Sequence, residues 1–395
     1  MAFGRLREED VREHIDPSSV AVVQENTAFA LDLYKALRAE EGNLFFSPYS
    51  ISVAFAMTYA GARGETGRQM AQVLHFPSEQ QLHPIFSALE AELKTAQQSG
   101  GTLLRSANSL YPQTKYPFLE VFLTLLEMHY GAQVTALDYK NNPEAARDTI
   151  NSWVAAKTEE KIKDLIPAGG LTPLTRLVLV NAIYFKGNWT SQFDQSRTIA
   201  APFWIRSDHV LPVPMMQQTE TFGYNETKDL QVLELPYRGD RLSMMILLPQ
   251  QKNGLTELEN NLTLENLAHW TRELQPREVQ ISLPRFKINC PFKLNDTLIA
   301  MGMKDAFDEN KANFSGMDGQ ENWLYIEAVF HQAFVDVNEE GSEAVAATAV
   351  VTGSRSLPPP PAVFQANHPF IFLIREQHTG NVLFLGRFVT PEAVA

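Results

Sequence analysis

Hydrophobic and polar positions follow two different periods along the chain. In the first half apolar residues recur every three or four positions, as Phe29, Leu33, Ala36 and Leu37 do within residues 24–40. This spacing predicts amphipathic helices. The second half carries short apolar runs bounded by proline, glycine and asparagine, which predict strands. Helices first and mostly antiparallel strands later predict an α+β fold.

Polar residues at the starts of the helical patterns predict several boundaries. Ser47 is placed as an N-cap, Pro48 as the first helical residue and Gly61 as the terminator of that helix. Residues 142 and 143, Asn-Pro, begin another helix in the same way. Residues 66–69, Thr-Gly-Arg-Gln, fit a capping box and predict a helix start there.

Six runs predict strands, and two of them predict a hairpin. The runs are residues 176–185, 242–249, 279–288, 329–338, 370–376 and 381–389. Residues 176–185 are apolar at nearly every position, which predicts a strand buried on both faces. The last two runs flank the turn-like sequence QHTGN and predict a hairpin.

Composition indicates one large folded unit and excludes some partners. The 395 residues are 44% hydrophobic, enough for a large core, and no break in composition divides them, so we expect a single domain over residues 1–395. The formal net charge is −13. An acidic surface repels phosphate backbones, so nucleic acid is not an expected partner.

The N-terminal segment and the single cysteine bear on the cellular compartment. Residues 1–19 are charged throughout and lack the apolar core of a signal peptide. We therefore expect a cytoplasmic protein or the mature form of an exported one. No run of about 18 apolar residues predicts a membrane helix, and no membrane partner is expected. Cys290 is the only cysteine, so no intrachain disulfide forms.

Motifs of catalysis and metal binding are missing from the sequence. It contains no G-x-S-x-G, H-E-x-x-H, C-x-x-C or P-loop pattern. His75 and His83 are the closest histidine pair and lack metal-ligand spacing. His331 lies among apolar residues of a predicted strand, which favours a hydrogen-bonded core histidine over a catalytic base. A spatially assembled Ser-His-Asp set stays open, because triads need no sequence signature. We expect no metal, no cofactor and no enzymatic activity.

Residues 338–361, NEEGSEAVAATAVVTGSRSLPPPP, have the composition of a strand that is not yet in a sheet. Proline is absent from residues 341–357, so every N–H there is able to join a sheet. The small or moderate side chains at alternate positions are those of Ser342, Ala344, Ala346, Thr348 and Val350. A flexible linker before a proline-rich spacer is the alternative. It leaves the β-branched residues and the lone Arg355 unexplained.

Entry of this segment into a sheet would release a large free energy. Residues 342–355, fully extended, span roughly 45 Å. About 10 new backbone hydrogen bonds at about 1 kcal/mol net each amount to on the order of 10 kcal/mol. The side chain of Arg355 is one that a trypsin-like specificity pocket accepts. The prolines behind it resist joining a central strand.

The chain resembles the serpins, a family of serine protease inhibitors, from about residue 20 to residue 391. The residues 337–348, VNEEGSEAVAAT, are similar to the hinge motif of that family. Further family signatures are matched in order by residues 43–52, 61–70, 180–189, 331–341 and 367–374. The resemblance implies three β-sheets, about nine helices and an exposed reactive-centre loop at about residues 339–362. It also implies irreversible suicide inhibition, in which a protease cleaves the loop and the loop inserts into the main sheet.

The resemblance implies a position for the scissile bond. Family spacing counts the hinge glutamate, Glu339, as first and places the scissile residue seventeenth, at Arg355. Cleavage of Arg355–Ser356 by a trypsin-like protease is therefore expected, ahead of slipped registers at Ser354 or Leu357. The hinge and inserting strand implied by the resemblance comprise Glu339, Gly341, Ser342, Glu343, Ala344, Ala346, Ala347 and Thr348.

The resemblance also implies two groups that control the opening of the main sheet. The polar cluster beneath the opening point is matched by Ser47, Ser50, Asn181 and His331. A buried polar cluster that re-pairs is able to act as a gate, and simple polar satisfaction in the core is the alternative. The group at the top of the sheet is matched by Trp189, Arg285 and Glu339. We expect Arg285 and Glu339 to form an ion pair that sets loop mobility.

Partners follow from the resemblance and from charge. We expect a covalent complex with a trypsin-like serine protease and a monomer able to polymerise by loop insertion. Some serpins bind heparin through a basic helix, but the matching residues 83–98 contain Lys94 as their only Lys or Arg, so heparin activation is not expected. The alternative function is a non-inhibitory serpin with a carrier, chaperone or storage role. The hinge has no proline, charge or bulky residue at inward positions, which favours inhibition.

Overall fold

The computed structural model describes residues 17–98, 101–132, 134–320, 324–339 and 360–391. Within these ranges the chain forms ten α-helices: α1 Pro17–Leu37, α2 Pro48–Tyr59, α3 Gly64–Leu74, α4 Glu79–Gln98, α5 Glu120–Tyr130, α6 Pro143–Lys157, α7 Leu255–Asn261, α8 Leu264–Arg272, α9 Asn295–Met301 and α10 Ser315–Asp318.

The same ranges contain thirteen strands. They are β1 Leu44–Phe46, β2 Thr102–Pro112, β3 Leu177–Gly187, β4 Ile199–Arg206, β5 His209–Glu226, β6 Leu230–Pro236, β7 Leu242–Pro249, β8 Gln275–Pro284, β9 Phe286–Lys293, β10 Ala328–Val337, β11 Ala362–Gln365, β12 Phe370–Glu376 and β13 Val382–Phe388. This helix and strand content confirms the α+β fold.

The predicted start of α2 is confirmed in detail. Pro48 is the first helical residue, and the Ser47 side chain accepts a hydrogen bond from the Ser50 N–H. The helix ends at Tyr59, just before the expected glycine. Its residues are apolar or small on every side, and eleven of its twelve are buried. A helix buried all round lies in the protein interior, and α2 begins directly beneath the four-stranded sheet.

The predicted capping box at residues 66–69 is wrong. The helix α3 already begins at Gly64, two residues before Thr66. The Thr66 hydroxyl accepts a hydrogen bond from the Asn313 N–H, and Gln69 Oε1 accepts from two N–H groups near residue 304. Both polar side chains therefore bond to other segments instead of capping their own helix.

The four-stranded sheet has the order β2-β3-β10-β9. The central pair, β3 and β10, is parallel, and both outer pairs are antiparallel. As expected, β3 is buried on both faces from Leu177 to Phe185. The inner face packs against the phenylalanines of β1, β12 and β13, and α6 covers part of the other face.

The remaining strands form a nine-stranded sheet in which two smaller sheets are joined. The order is β1-β13-β12-β7-β6-β5-β8-β11, with β4 added beside β5. The long β5 pairs with β4 over its first residues, with β8 from Met215 to Tyr224, and with β6 through Gly223–Glu226 at its end. The described strands thus form two sheets where the resemblance implied three, because the continuous β5 pairs with β4, β8 and β6 and joins them in one sheet. The predicted hairpin is confirmed as β12–β13.

The run at residues 279–288 is two strands and not one. β8 ends at Pro284 in the nine-stranded sheet, and β9 begins at Phe286 in the four-stranded sheet. Proline lacks an N–H, so a ladder readily ends there. The crossing leaves Arg285 between the two sheets. The part of the chain that the structure describes holds no helix long and apolar enough to span a membrane.

Candidate functional site

Three polar side chains form a row across the four-stranded sheet. The register pairs Asn108 of β2 with Asn181 of β3, and Asn181 with His331 of β10. Directly paired residues of neighbouring strands project from the same face, so the three side chains lie side by side. The N-terminus of α2, with Ser47 and Ser50, lies beneath this row.

The hydrogen bonds of this row fix the tautomer of His331. The Ser47 N–H donates to His331 Nε2 over 3.1 Å, so that nitrogen carries no proton. The proton is therefore on Nδ1, which donates to Asn181 Oδ1. Asn181 Nδ2 donates to the Ser50 carbonyl and hydroxyl oxygens over 2.8 and 2.6 Å. The structure thus brings together all four residues of the expected cluster.

A fifth residue, Asn108, belongs to the cluster and was not predicted from the sequence. Its Oδ1 accepts hydrogen bonds from Asn181 Nδ2 and from the Ser50 hydroxyl, the latter over 3.2 Å. Apolar Ala107 comes directly before Asn108, and Leu110 lies two positions after it. This local pattern indicates only that Asn108 is a polar residue within a strand. Without the register, nothing in that pattern connects Asn108 to Asn181.

His331 is neutral and inaccessible. Burial lowers its pKa to about 3, and its exposed fraction is 0%. The Ser47 N–H already donates to Nε2, so protonation of Nε2 would place two hydrogens against each other and remove this hydrogen bond. A substrate does not reach this imidazole in the described structure, which agrees with a hydrogen-bonded core histidine and not with a catalytic base.

The parallel pairing of β3 and β10 ends before the strands do. Eight residue pairs join them, from Val178–Ala328 to Phe185–Val335. Above that point β3 stays paired with β2 up to Gly187, and β10 stays paired with β9 up to Val337. The sheet therefore divides into two halves at the top of this central seam.

A buried carboxylate lies where β10 leaves the sheet. Glu339 is 3% exposed, and its Oε2 lies 3.6 Å from Arg285 Nη1, so the expected ion pair is present. The Thr198 hydroxyl donates to Glu339 Oε1 over 2.7 Å. Trp189 Nε1–H donates to the Asn338 carbonyl over 3.0 Å and stacks on Tyr237.

Thr198 was not predicted, because it belongs to a segment distant in sequence from Glu339. The Glu339 side chain therefore contacts two distant segments, at Arg285 and Thr198, and the Asn338 carbonyl next to it contacts a third at Trp189. Arg285 is half exposed, so the attraction to it is weakened by solvent.

Most of the expected loop falls outside the described residues. The residues concerned are Gly341, Ser342, Glu343, Ala344, Ala346, Ala347, Thr348, Arg355 and Ser356. The described chain stops at Glu339, at the top of the four-stranded sheet, and resumes at residue 360 just before β11.

Metal-binding geometry is not found among the described residues, where no group of three His, Cys, Asp or Glu side chains is arranged to hold an ion. His75 Nε2 lies 2.8 Å from Asp32 and its Nδ1 lies 3.5 Å from Glu25, so the two carboxylates face opposite ring nitrogens. His83 Nδ1 instead contacts the Tyr130 hydroxyl over 2.7 Å.

Comparisons with known proteins point to one family. A family model described as serpin (serine protease inhibitor) matches residues 24–391. The chain is 44% identical over 376 residues to the leukocyte elastase inhibitor of Homo sapiens, covering 93% of this chain and 98% of that protein. It is 41% identical over 376 residues to antithrombin-III of Mus musculus, covering 93% and 81%.

Solved structures give the same result. Uncleaved ovalbumin matches with a TM-score of 0.84 at 31% identity, covering 94% of this chain and 100% of that chain. Serpin48 of the insect Tenebrio molitor matches with a TM-score of 0.82 at 31% identity, covering 96% and 100%.

Proposed function

The chain belongs to the serpin family of serine protease inhibitors, and from this premise we propose that it inhibits a trypsin-like serine protease as a suicide substrate. The target cleaves the bond Arg355–Ser356, and the freed segment inserts between β3 and β10. The observation that carries the proposal is the incomplete central seam, which lies directly below Glu339, where the loop begins.

The strand directions favour insertion at this seam. β3 and β10 are parallel, and a segment that folds back from the top of β10 runs antiparallel to both. One parallel ladder of eight pairs is then replaced by two antiparallel ladders, whose hydrogen bonds are better aligned. The inserted segment also pairs with the edges of β3 and β10 that face each other without a ladder beyond Phe185 and Val335.

The chemistry belongs to the target protease. Its serine oxygen attacks the carbonyl carbon of Arg355, the peptide bond to Ser356 breaks, and the target's histidine gives the proton to the leaving amine. An ester joins Arg355 to the protease. Insertion of the loop then moves the ester away from Ser356, so the attached protease is displaced before water completes the reaction. This chain supplies the substrate-like loop and the free energy.

Specificity for a trypsin-like target is supported by the residue at the scissile position. One relative is named for elastase and another for thrombin, so the relatives do not share one target by name. The positive charge of Arg355 fits a specificity pocket that contains a carboxylate. We therefore expect trypsin to serve as a model target.

The test is a mixture with trypsin, analysed on a denaturing gel. A band of the combined mass that survives SDS, and that is absent with trypsin whose active-site serine is chemically blocked, supports the proposal. Complete cleavage after Arg355 without that band would show a substrate and not an inhibitor, as expected of a carrier or storage serpin.

A further inference from the structure

A small cavity opens where one end of the nine-stranded sheet meets α7 and α8. Its volume is 270 Å³, slightly below the range of roughly 300–1,000 Å³ that is typical of small-molecule pockets. The turn between β5 and β6, the loop from β7 to α7 and the two helices form its walls. The cavity therefore has room for a ligand smaller than most drug molecules.

The floor of the cavity is apolar, although its rim is polar. The floor is formed by Leu230, Pro249, Leu258 and Trp270, which line the cavity and are buried. Trp270 is 9% exposed, and its indole N–H donates to no residue that the structure describes. An indole ring supplies apolar contact area and attracts a cation that lies over its face.

The ionisable residues that line the cavity are both acidic. Asp229 lies at the exposed rim in the β5–β6 turn, and Glu257 lies there on α7. The Glu257 carboxylate forms no ion pair within the part of the chain that the structure describes. Asp229 Oδ2 lies 3.7 Å from Lys228 Nζ, but that lysine side chain is 90% exposed, so the pair is weak. The charges at the rim therefore favour a cation over an anion.

The amide side chains at the rim offer acceptors to a ligand. Asn261 Nδ2 donates to the Glu257 carbonyl over 3.0 Å, and Asn266 Nδ2 donates to the Asn261 carbonyl over 2.7 Å. Neither Oδ1 atom accepts a hydrogen bond from another described residue. A primary ammonium group has three N–H donors and no acceptor, so it complements these oxygens and the two carboxylates.

Hydrogen bonds within the walls hold these groups in place. The Thr227 hydroxyl accepts from the N–H groups of Asp229 and Leu230 over 3.3 and 3.1 Å, which fixes the turn that carries Asp229. The Thr263 hydroxyl accepts from the Asn266 N–H over 3.2 Å and caps α8. Walls that are already ordered lose little conformational entropy when a ligand binds.

From this combination we propose that the cavity binds a small primary amine with an apolar body, such as an arylalkylamine. The ammonium group lies between Asp229 and Glu257 and donates to the amide oxygens, while the body packs on Leu258 and Trp270. No residue of the four-stranded sheet lines the cavity, and neither does Glu339 or its partners. The proposal therefore stands independently of protease inhibition.

The first test compares three ligands of similar shape by calorimetry, with the intact chain at neutral pH and without any protease. Phenethylammonium should bind at one site. Phenethyl alcohol, which lacks the charge, should bind more weakly, and the anion hydrocinnamate should bind at least about 10-fold more weakly, because the carboxylates repel it. Equal affinity for the amine and the anion would overturn the proposal.

The second test uses variants that keep the shape of the rim. Asp229→Asn/Glu257→Gln removes both charges and should weaken phenethylammonium binding at least about 10-fold. The matched control, Glu265→Gln, removes a charge from exposed α8 surface outside the cavity lining and should leave the affinity within about 2-fold. Circular dichroism spectra compare the folding of each variant with the wild type. Equal affinity of the wild type and the double variant would overturn the site.

The third test locates the ligand at the floor. Binding of phenethylammonium should change the tryptophan fluorescence of the wild type, because Trp270 lines the cavity. Trp270→Phe keeps an aromatic ring in the floor, and the fluorescence change should be lost in this variant. A full fluorescence change in Trp270→Phe would place the amine elsewhere and overturn the proposed site.

Discussion

His331 on β10 donates a hydrogen bond from Nδ1 to Asn181 Oδ1 on β3, across the parallel pairing of these two central strands. Separation of these strands breaks the bond. The Ser47 N–H, which donates to the other ring nitrogen, ties the same imidazole to the start of α2. The cluster therefore links the paired strands β3 and β10 to the start of the helix beneath them.

Loss of this imidazole should destabilise the protein. His331→Ala leaves the Ser47 N–H and Asn181 Oδ1 buried without their partner, at a cost of about 3 kcal/mol. The midpoint of urea unfolding checks this. His209→Ala is the control, because His209 is exposed, and it should change stability by less than about 0.5 kcal/mol. An unchanged midpoint for His331→Ala would contradict the role of the cluster.

Stability should fall on mild acidification because His331 stays neutral when folded. Its pKa is lowered to about 3 by burial, against about 6.5 when unfolded, so the unfolded chain binds more protons between these values. The contribution of the neutral His331 to the free energy of unfolding is complete above about pH 6.5, and it is lost as the pH falls towards 3.

Between pH 7 and pH 5 this residue should account for a loss of about 2 kcal/mol. Urea unfolding of the wild type and His331→Gln at both pH values measures it. The variant should lose less stability than the wild type over this interval. The buried His83, whose pKa is lowered to about 4, contributes in the same direction in both proteins. Equal losses in the two proteins would rule out His331 as the source.

Substitution at the scissile position should change the target. Arg355→Leu removes the charge that a trypsin-like pocket binds. Each hydrogen bond to a charged group contributes about 1.5–3 kcal/mol, so the rate of trypsin inhibition should fall about 100-fold. Arg355→Lys, which keeps the charge, is the control and should retain most of the rate. Unchanged inhibition by Arg355→Leu would place the scissile bond elsewhere.

A charge on the inserting face should convert the inhibitor into a substrate. The inner face of the seam is formed by Ile183, Phe185, Ala333 and Val335, all buried. Ala344→Arg would bring a guanidinium group against them, at a cost of several kcal/mol.

Trypsin should therefore cleave Ala344→Arg without forming the SDS-stable complex. Ala347→Arg places the same side chain on the opposite face of the segment, which can stay in water, and should still form the complex. The ratio of complex to cleaved chain on a denaturing gel compares the two. Full complex formation by Ala344→Arg would argue against insertion with alternate residues facing inward.

Local signals in the sequence predicted much of the fold and part of the site. The start of α2, the fully buried β3 and the β12–β13 hairpin all follow from residues within a few positions of each other. The expected members of the polar cluster were found through a family resemblance. That resemblance also pointed to the pairing of Arg285 with Glu339, which are far apart in the chain.

Tertiary packing overrode other local signals. Thr66 and Gln69 have the spacing of a capping box, yet they bond to residues near 313 and 304. The run at residues 279–288 has the alternation of one strand, yet it crosses between sheets at Arg285. Thr66 and Gln69 bond to distant segments that their local spacing does not specify. The two parts of the run pair with strands of different sheets, and only Pro284 marks the break between them.

The sequence by itself determined the helical and strand segments, the long proline-free segment and the arginine that it presents. Only the tertiary structure decided that Asn108 joins the cluster, that Thr198 holds Glu339, and that the β3–β10 pairing stops at Phe185 and Val335. The physical reason is register. Contacts across a sheet depend on which residues of distant strands lie opposite each other, and composition and spacing within one strand do not specify that alignment.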